Sequence, residues 1–266
     1  MKRIFITGAS SGIGLATATL LSGRGHEVWG TSRDLDRIPP LPRLHGVRLD
    51  LLDPLSLGES FHSALREAGQ FDVVINNAGS GHFGPAEFLS PEEVHVQFQT
   101  LVFSHIQLCQ LALRAMRERG GRIINVTSLA SRLPIPFMGA YNAAKAAMAS
   151  FTGTLQLELA GSNIRVIDLQ PADIRTDFND KIARDESGDS RYLAKLRQAW
   201  RVADRSMKKA PSPELVAQRI AKLIDDPNPP PRVTVGDTFQ GVIAPLTFRL
   251  LPQRTRLWVL RKYYGI

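Results

Sequence analysis

Residues 7–14 read TGASSGIG and follow the short apolar run RIFIT at 3–7 without a break. A strand that meets small residues and then a helical pattern is a βα turn whose backbone passes close to a neighbour. The turn offers Gly8, Ser10, Ser11, Gly12 and Gly14, with Ile13 as its large side chain. A helix opening there presents unpaired N–H groups and the positive end of its dipole, which suit a phosphate. The spacing is Gly-x-x-x-Gly-x-Gly, and a tight βα turn alone gives similar letters. Its place at the first strand–helix junction favours a dinucleotide pyrophosphate.

Outward from this turn, apolar runs alternate with helical patterns. RIFIT, HEVWGTS, GVRLD, DVVINN, RIINVTS and IRVIDLQ read as buried strands, bounded by Gly, Asp or Asn. Helix starts between them are marked by Asp53 before Pro54 and by Ser90, Pro91 and Glu93, a capping box with proline at the first helical position. The prolines of DPNPPPRVTV turn the chain into a last strand. The expectation is one α/β domain over residues 1–266 of the doubly wound Rossmann type, with a parallel sheet of about seven strands and helices on both faces. Residues 174–210 are polar and weakly periodic, an insertion after the sixth strand that predicts a lid over the strand ends.

The bulk figures narrow the class. Of 266 residues, 43% are apolar and 22% charged, as in ordinary globular proteins. The lone Cys109 permits no internal disulfide; it reads as a small buried hydrophobe in a reducing compartment. The apolar run at the amino terminus is too short for a signal peptide, and no run reaches membrane-spanning length, so the expected location is the cytoplasm. The net charge of +8 gathers in residues 191–209 and 248–266, where basic residues alternate with Leu, Trp and Tyr. Without a recognition motif this pattern argues against nucleic acid and for an anionic cofactor or membrane surface. No metal site is expected.

The second strand ends in WGTSRD. An acidic residue at this point would bind the ribose hydroxyls of NAD, whereas Thr31, Ser32 and Arg33 suit a 2′-phosphate. NADP(H) is therefore expected rather than NAD(H). Further on, GAYNAAKAAMASF at 139–151 carries Tyr141 and Lys145 at i and i+4, on one helical face. A phenol titrates near 10, and lowering that by about three units takes roughly 4 kcal/mol of phenolate stabilisation. An ammonium one turn away in a desolvated cleft is a source of it. Ser128, at the end of the fifth strand, offers a hydroxyl to hold a substrate oxygen at the tyrosine.

TGASSGIG, NNAG at 76–79, Ser128 and YNAAK, in this order, resemble the short-chain dehydrogenase/reductase family over nearly the whole chain. The resemblance implies Tyr141 as general acid/base, Ser128 as the residue that orients substrate, and Lys145 as the group that lowers the tyrosine pKa and holds the nicotinamide ribose. It implies that Asn77, Ala78 and Gly79 support the cofactor and the central sheet, and that Asp50 and Leu51 contact the adenine. PADIRT supplies Pro171, Ile174 and Thr176, the threonine facing the carboxamide. The longer pattern is similar to the 17β-hydroxysteroid and retinol dehydrogenase subgroup, implying a carbonyl or alcohol substrate that is bulky and apolar: steroid-, retinoid- or lipid-like. Family members assemble as homodimers or homotetramers.

Two positions depart from the family. Ala172 replaces the glycine of its Pro-Gly pair; an alanine at positive φ costs about 1 kcal/mol, unless the loop takes another conformation. Leu101, in FQTLVFS, stands where many members carry an asparagine that positions a relay water behind the lysine. That implies a rewired or slower relay, with a non-catalytic NADP(H)-binding sensor as the alternative. Thr100 is turned away by about 100°, and His105 reads as a satisfied helix histidine. The basic amphipathic segment 240–266 predicts packing on the parent domain or a partner subunit, with peripheral contact on an anionic membrane as the competing expectation.

Overall fold

The structure, a computed structural model, describes residues 1–185 and 190–266; residues 186–189 of the expected lid lie outside the described residues. The first half runs β1 (Arg3–Ile6), α1 (Gly12–Gly23), β2 (Glu27–Ser32), β3 (Leu44–Arg48), α2 (Pro54–Ala68), β4 (Val73–Asn76), β5 (His82–Phe83), α3 (Pro91–Phe98) and α4 (Ser104–Met116). The second runs β6 (Gly121–Val126), α5 (Gly139–Glu158), β7 (Ile164–Pro171), β8 (Ala183–Arg184), α6 (Ser190–Lys209), α7 (Pro213–Asp225), β9 (Arg232–Val235), α8 (Ala244–Leu250) and α9 (Gln253–Tyr264). Seven strands form one sheet in the order β3-β2-β1-β4-β6-β7-β9, and every pairing is parallel. β5 and β8 pair separately.

Period-two alternation explains the layers. In β1, Ile4 and Ile6 join a core with Leu21, Val216, Ile220 and Ile224 of α1 and α7. Phe5 points the other way, into a core with Phe61, Leu108, Met116, Met148 and Leu155 of α2, α4 and α5. Strands buried on both faces carry apolar runs rather than alternation, as the sequence shows. The caps form where expected. Asp53 accepts from the N–H groups of Leu55 and Ser56, and Ser90 and Glu93 close a reciprocal box.

Several local features depart from or sharpen the sequence reading. A π turn at Gln99–Phe103 links α3 and α4 into a continuous helical run. Ala172 does not adopt positive φ, since among the described non-glycine residues only Arg43 and Phe137 do. The loop has taken another conformation, without backbone strain at the alanine. The carboxyl-terminal segment forms a second π turn, Phe239–Ile243, followed by α8 and α9. Tyr264 is buried in a third core with Phe83, Leu101, Tyr141, Leu196 and Ala199, and Leu260 and Trp200 pack against it. One face of this segment therefore packs on the parent chain. No helix among the described residues is long and apolar enough to cross a membrane.

At Gly14 the first turn of α1 lies against β1's exit so closely that a Cβ would run into the Gly8 carbonyl oxygen and the Asn77 amide. A Cβ at exposed Gly23, in the last turn of α1, meets nothing within 4 Å. Gly14→Ala is expected to lower unfolding free energy by more than about 2 kcal/mol, and Gly23→Ala to raise it by up to about 1 kcal/mol. Urea titration of the two variants measures both changes, and equal effects would contradict the close approach.

Candidate active site

The strand order reverses between β1 and β4, which opens a crevice at their carboxyl ends. Thr7 ties its two sides together. Its Oγ1 accepts from the backbone N–H groups of Asn77 (2.9 Å) and Ala78 (3.0 Å). In return, Asn77 Nδ2 donates to the Thr7 carbonyl at 2.9 Å. Thr31 Oγ1 accepts from Gly8 N at 3.2 Å, drawing the end of β2 to the same turn. The N-cap Ser11 makes no side-chain capping bond and the first turn of α1 holds no acid. Its N–H groups and dipole therefore face the crevice without a competing carboxylate. A Cβ at Gly12 would lie 3.3 Å from the Thr176 methyl group, so the 174–178 loop lies over the turn.

A cleft of about 970 Å³ joins these residues to the rest. It is lined by Gly8, Ser10, Ser11, Gly12 and Ile13, by Ser32 and Arg33, by Asp50 and Leu51, by Asn77, Ala78 and Gly79, and by Pro171, Ile174 and Thr176. Of the cofactor-binding and catalytic residues expected from sequence, Gly14 alone stands behind the wall, supporting the turn. Arg37, in the same wall as exposed Arg33, was not picked out; its place depends on the helical turn at Leu35–Arg37.

At the far end, Ser128 follows β6 and caps a short turn, accepting from Ala130 N at 3.0 Å. Ser128 and Tyr141 line the cleft together, with the Ser128 hydroxyl near enough to the phenol to favour its ionised form. One turn along α5, Lys145 is 4% exposed and donates from Nζ to the Val126 carbonyl at 2.8 Å. Nζ lies 5.8 Å from the centroid of the Tyr141 ring. The three side chains anticipated from sequence are thus brought together. Their electrostatics differ from the expectation of a lowered phenol. Burial pushes the Tyr141 pKa up, with the Asp173 carboxylate adding to the rise and the Ser128 hydroxyl opposing it. Burial also pulls Lys145 down to about 8, against the pull of Asp168. Desolvation dominates at both side chains, so the protein's own groups bias them towards their neutral forms.

Behind Lys145, Leu101 is fully buried on the π turn. A Cβ at Gly79 would lie 3.1 Å from Leu101 Cδ2 and 4.0 Å from Lys145 Nζ, so the leucine and the lysine both pack beside Gly79. His105 is not the satisfied histidine expected. It is fully buried, its Nε2 has no partner among the described residues, and burial with the nearby Lys145 charge lowers its pKa to about 3. Asn76 Nδ2 donates to Asn125 Oδ1 at 2.7 Å and approaches the His105 carbonyl at 3.4 Å. Cys109 Sγ sits in this cluster, and burial pushes its thiol up to about 12, so it is an unreactive packing group.

The substrate end also holds groups that the sequence reading missed. Asp173 Oδ2 accepts from Ser206 Oγ at 2.5 Å and Gln240 Nε2 at 2.8 Å, while Asp173 N donates to Gln240 Oε1 at 3.0 Å. The Asp173 position inside PADIRT was the available signal; Ser206 and Gln240 gave none. Around Tyr141 the wall is apolar. The Phe178 ring lies 5.8 Å away, and Trp200, Met207, Phe248, Leu260 and Tyr264 extend the cleft.

Residues 2–187 match the family model described as short chain dehydrogenase. This chain belongs to the short-chain dehydrogenase family. A 3-ketodihydrosphingosine reductase from Bacteroides thetaiotaomicron is 34% identical over 99% of this chain and 98% of its own. A short-chain dehydrogenase/reductase from Burkholderia phymatum, solved in complex with NAD, superposes with a TM-score of 0.81 at 27% identity, covering 97% of this chain and 95% of that one. An alcohol dehydrogenase from the archaeon Thermococcus sibiricus, complexed with 5-hydroxy-NADP, has a TM-score of 0.75 at 25% identity, covering 90% and 97%. Like its relatives, this short-chain dehydrogenase is an oxidoreductase acting on CH–OH and C=O groups.

The buried ammonium gives a direct check on the site. In the protein labelled with ε-13C-lysine, the Lys145 resonance is expected to titrate with a midpoint near 8. A midpoint at the ordinary lysine value near 10.4 would contradict the desolvated setting.

Proposed function

We propose that this short-chain dehydrogenase is an NADP(H)-dependent reductase of long-chain, lipid-like ketones, working reversibly on the corresponding alcohols. One observation carries the reading: Ser128 and Tyr141 face together into an apolar cleft walled by Phe178, Trp200, Phe248 and Leu260. The 34% identity to a reductase of a long-chain keto compound, extending over both chains, supports the choice of lipid among bulky apolar substrates.

The glycine turn fits a dinucleotide. Gly8 and Gly12 take positive φ, Gly14 leaves no room for a side chain, and the α1 N-terminus carries no acid. Ser10, Ser11, Gly12 and Ile13 would hold the pyrophosphate, Asp50 and Leu51 the adenine, and Lys145, Asn77 and Thr176 the nicotinamide half. Arg33 and Arg37, beside Ser32 rather than an acid at the end of β2, favour a 2′-phosphate. When bound, the nicotinamide dinucleotide supplies or takes the hydride.

The side chains handle the oxygen and its proton. Ser128 donates a hydrogen bond to the carbonyl oxygen and fixes its direction. Tyr141 gives its proton to that oxygen as the carbon is reduced, and takes it back in the alcohol direction. The resulting phenolate costs much in a buried setting, and the Lys145 ammonium is the adjacent charge that offsets it. Phe178 and Trp200 exclude water from the reacting oxygen.

Tyr141→Phe is expected to lower kcat by about 10²–10⁴-fold with NADPH affinity unchanged, measured by steady-state turnover and fluorescence titration; full activity would end the acid/base assignment. Arg33→Ala is expected to weaken NADPH binding by about tenfold or more and to leave NADH binding unchanged. Equal losses for both dinucleotides would contradict a 2′-phosphate contact. Along a series of 3-ketones of rising chain length, kcat/KM is expected to climb by up to about fourfold per methylene until the cleft is filled. A flat series would rule against a lipid chain.

A further inference from the structure

Half of the large hydrophobic side chains exposed on this protein lie in the carboxyl-terminal helices. Phe239 and Tyr263 are exposed at the cleft itself, while Val242, Ile243, Leu246, Leu250, Leu257 and Trp258 face solvent away from it, with Leu246 at 62%, Leu250 at 79% and Trp258 at 60% exposure. Monomeric soluble proteins rarely display so many in one short segment without using them. Their order is helical. Positions 242, 243, 246 and 250 fall on one side of the α8 run. On α9, Leu257 and Trp258 share an outer face with Arg254, Arg261 and Lys262.

The charge of the segment is one-sided. Arg249, Arg254, Arg256, Arg261 and Lys262 carry it, and no Asp or Glu follows Asp237. Arg256 is engaged in closing α8, donating to the carbonyls of Leu251 (2.6 Å) and Arg249 (3.1 Å). Arg249, Arg254, Arg261 and Lys262 are exposed. The inner faces of the same helices, through Ala244, Phe248, Val259, Leu260 and Tyr264, form the wall of the active-site cleft. These helices thus have the cleft on one side and an apolar, cationic face towards solvent on the other.

From these observations we infer that α8 and α9 dock the enzyme on an anionic lipid bilayer, setting the mouth of its cleft at the membrane surface. The delivery of substrate from that surface rests on the lipid-ketone reading; the docking itself rests on the exposed face alone. A second copy of the chain is a poorer occupant, because pairing this face with itself would bring two sets of cations together with no carboxylate of either segment to offset them. A bilayer containing acidic phospholipid supplies the missing negative charge, and its interfacial zone accepts Trp and Tyr, whose rings are apolar with a polar tip. Apolar insertion and cationic attraction together are the two signals that stable peripheral attachment takes.

Co-sedimentation of the full-length chain with phosphatidylcholine vesicles, and with phosphatidylcholine containing phosphatidylglycerol, tests this. Binding is expected to the acidic vesicles, to weaken with added salt and to be slight on pure phosphatidylcholine. Arg254→Glu/Arg261→Glu/Lys262→Glu is expected to reduce the partition coefficient by about fivefold or more per cation. Leu246→Ser/Leu250→Ser/Trp258→Ser should reduce it independently of charge. Turnover of a short, water-soluble ketone is expected to be unchanged in both variants, which also shows that they fold. Absence of wild-type pelleting, equal pelleting on both vesicle types, or a solution dimer that shields Trp258 from a quencher would each overturn the docking. Failure to reduce any long-chain ketone in detergent would instead overturn the functional reading and leave vesicle binding to be judged separately.

Discussion

The molecule depends on one hydroxyl that ties together the segments leaving two neighbouring strands. β1 sends the chain by way of α1 to β2 on one side, while β4 hands the sheet to β6 on the other. Within the sheet the two strands are held by their own ladder, which the Thr7 N–H extends to the Ile75 carbonyl. Past the ladder the Thr7 hydroxyl takes over, accepting two backbone N–H groups from the loop after β4, while the Asn77 amide returns a bond to the Thr7 carbonyl. These bonds are short and partly buried, and each contributes about 1 kcal/mol net. The glycine turn, the cleft floor and the position of Gly79 against Leu101 all follow from that tie.

A second constraint is electrostatic. Burying Tyr141 and Lys145 raises the energy of whichever member is charged, which is why the phenol moves up and the ammonium down. Such a pair holds its ammonium ready at neutral pH but close to the edge of its protonated range. The neighbouring His105 is forced neutral by the same desolvation. The polar cluster behind the lysine, with Asn76, Asn125 and Thr152, is held by side-chain hydrogen bonds rather than by charges.

Much of this was readable from letters. The strands announced themselves through Val and Ile runs closed by Gly, Asp or Asn, and Asp53 and Ser90 marked helix starts because a side-chain oxygen before proline has few other uses. Tyr141, Lys145 and Ser128 were legible because helical spacing and strand ends place them without knowledge of packing. What failed was anything set by burial in three dimensions. His105 carries no mark in the sequence that its ring is sealed from water, and the direction of the Tyr141 shift is set by desolvation that only the packed structure reveals. The π turn at Gln99–Phe103 has no composition of its own. Arg37 reaches the cleft through the short turn at Leu35–Arg37, while Ser206 and Gln240 meet Asp173 only through contacts between segments far apart in the chain.

The Asp173 carboxylate has a consequence for motion. It follows β7 and receives a hydroxyl from α6 and an amide from the turn that begins α8, with Tyr263 of α9 in contact with that hydroxyl at 3.4 Å. Three pieces of chain that would otherwise drift separately share one anionic knot, formed of charge-assisted bonds that are stronger than neutral ones. The carboxylate thus cross-links the exit of β7, the last turns of α6 and the turn before α8, so one side chain braces several segments of the cleft wall at once.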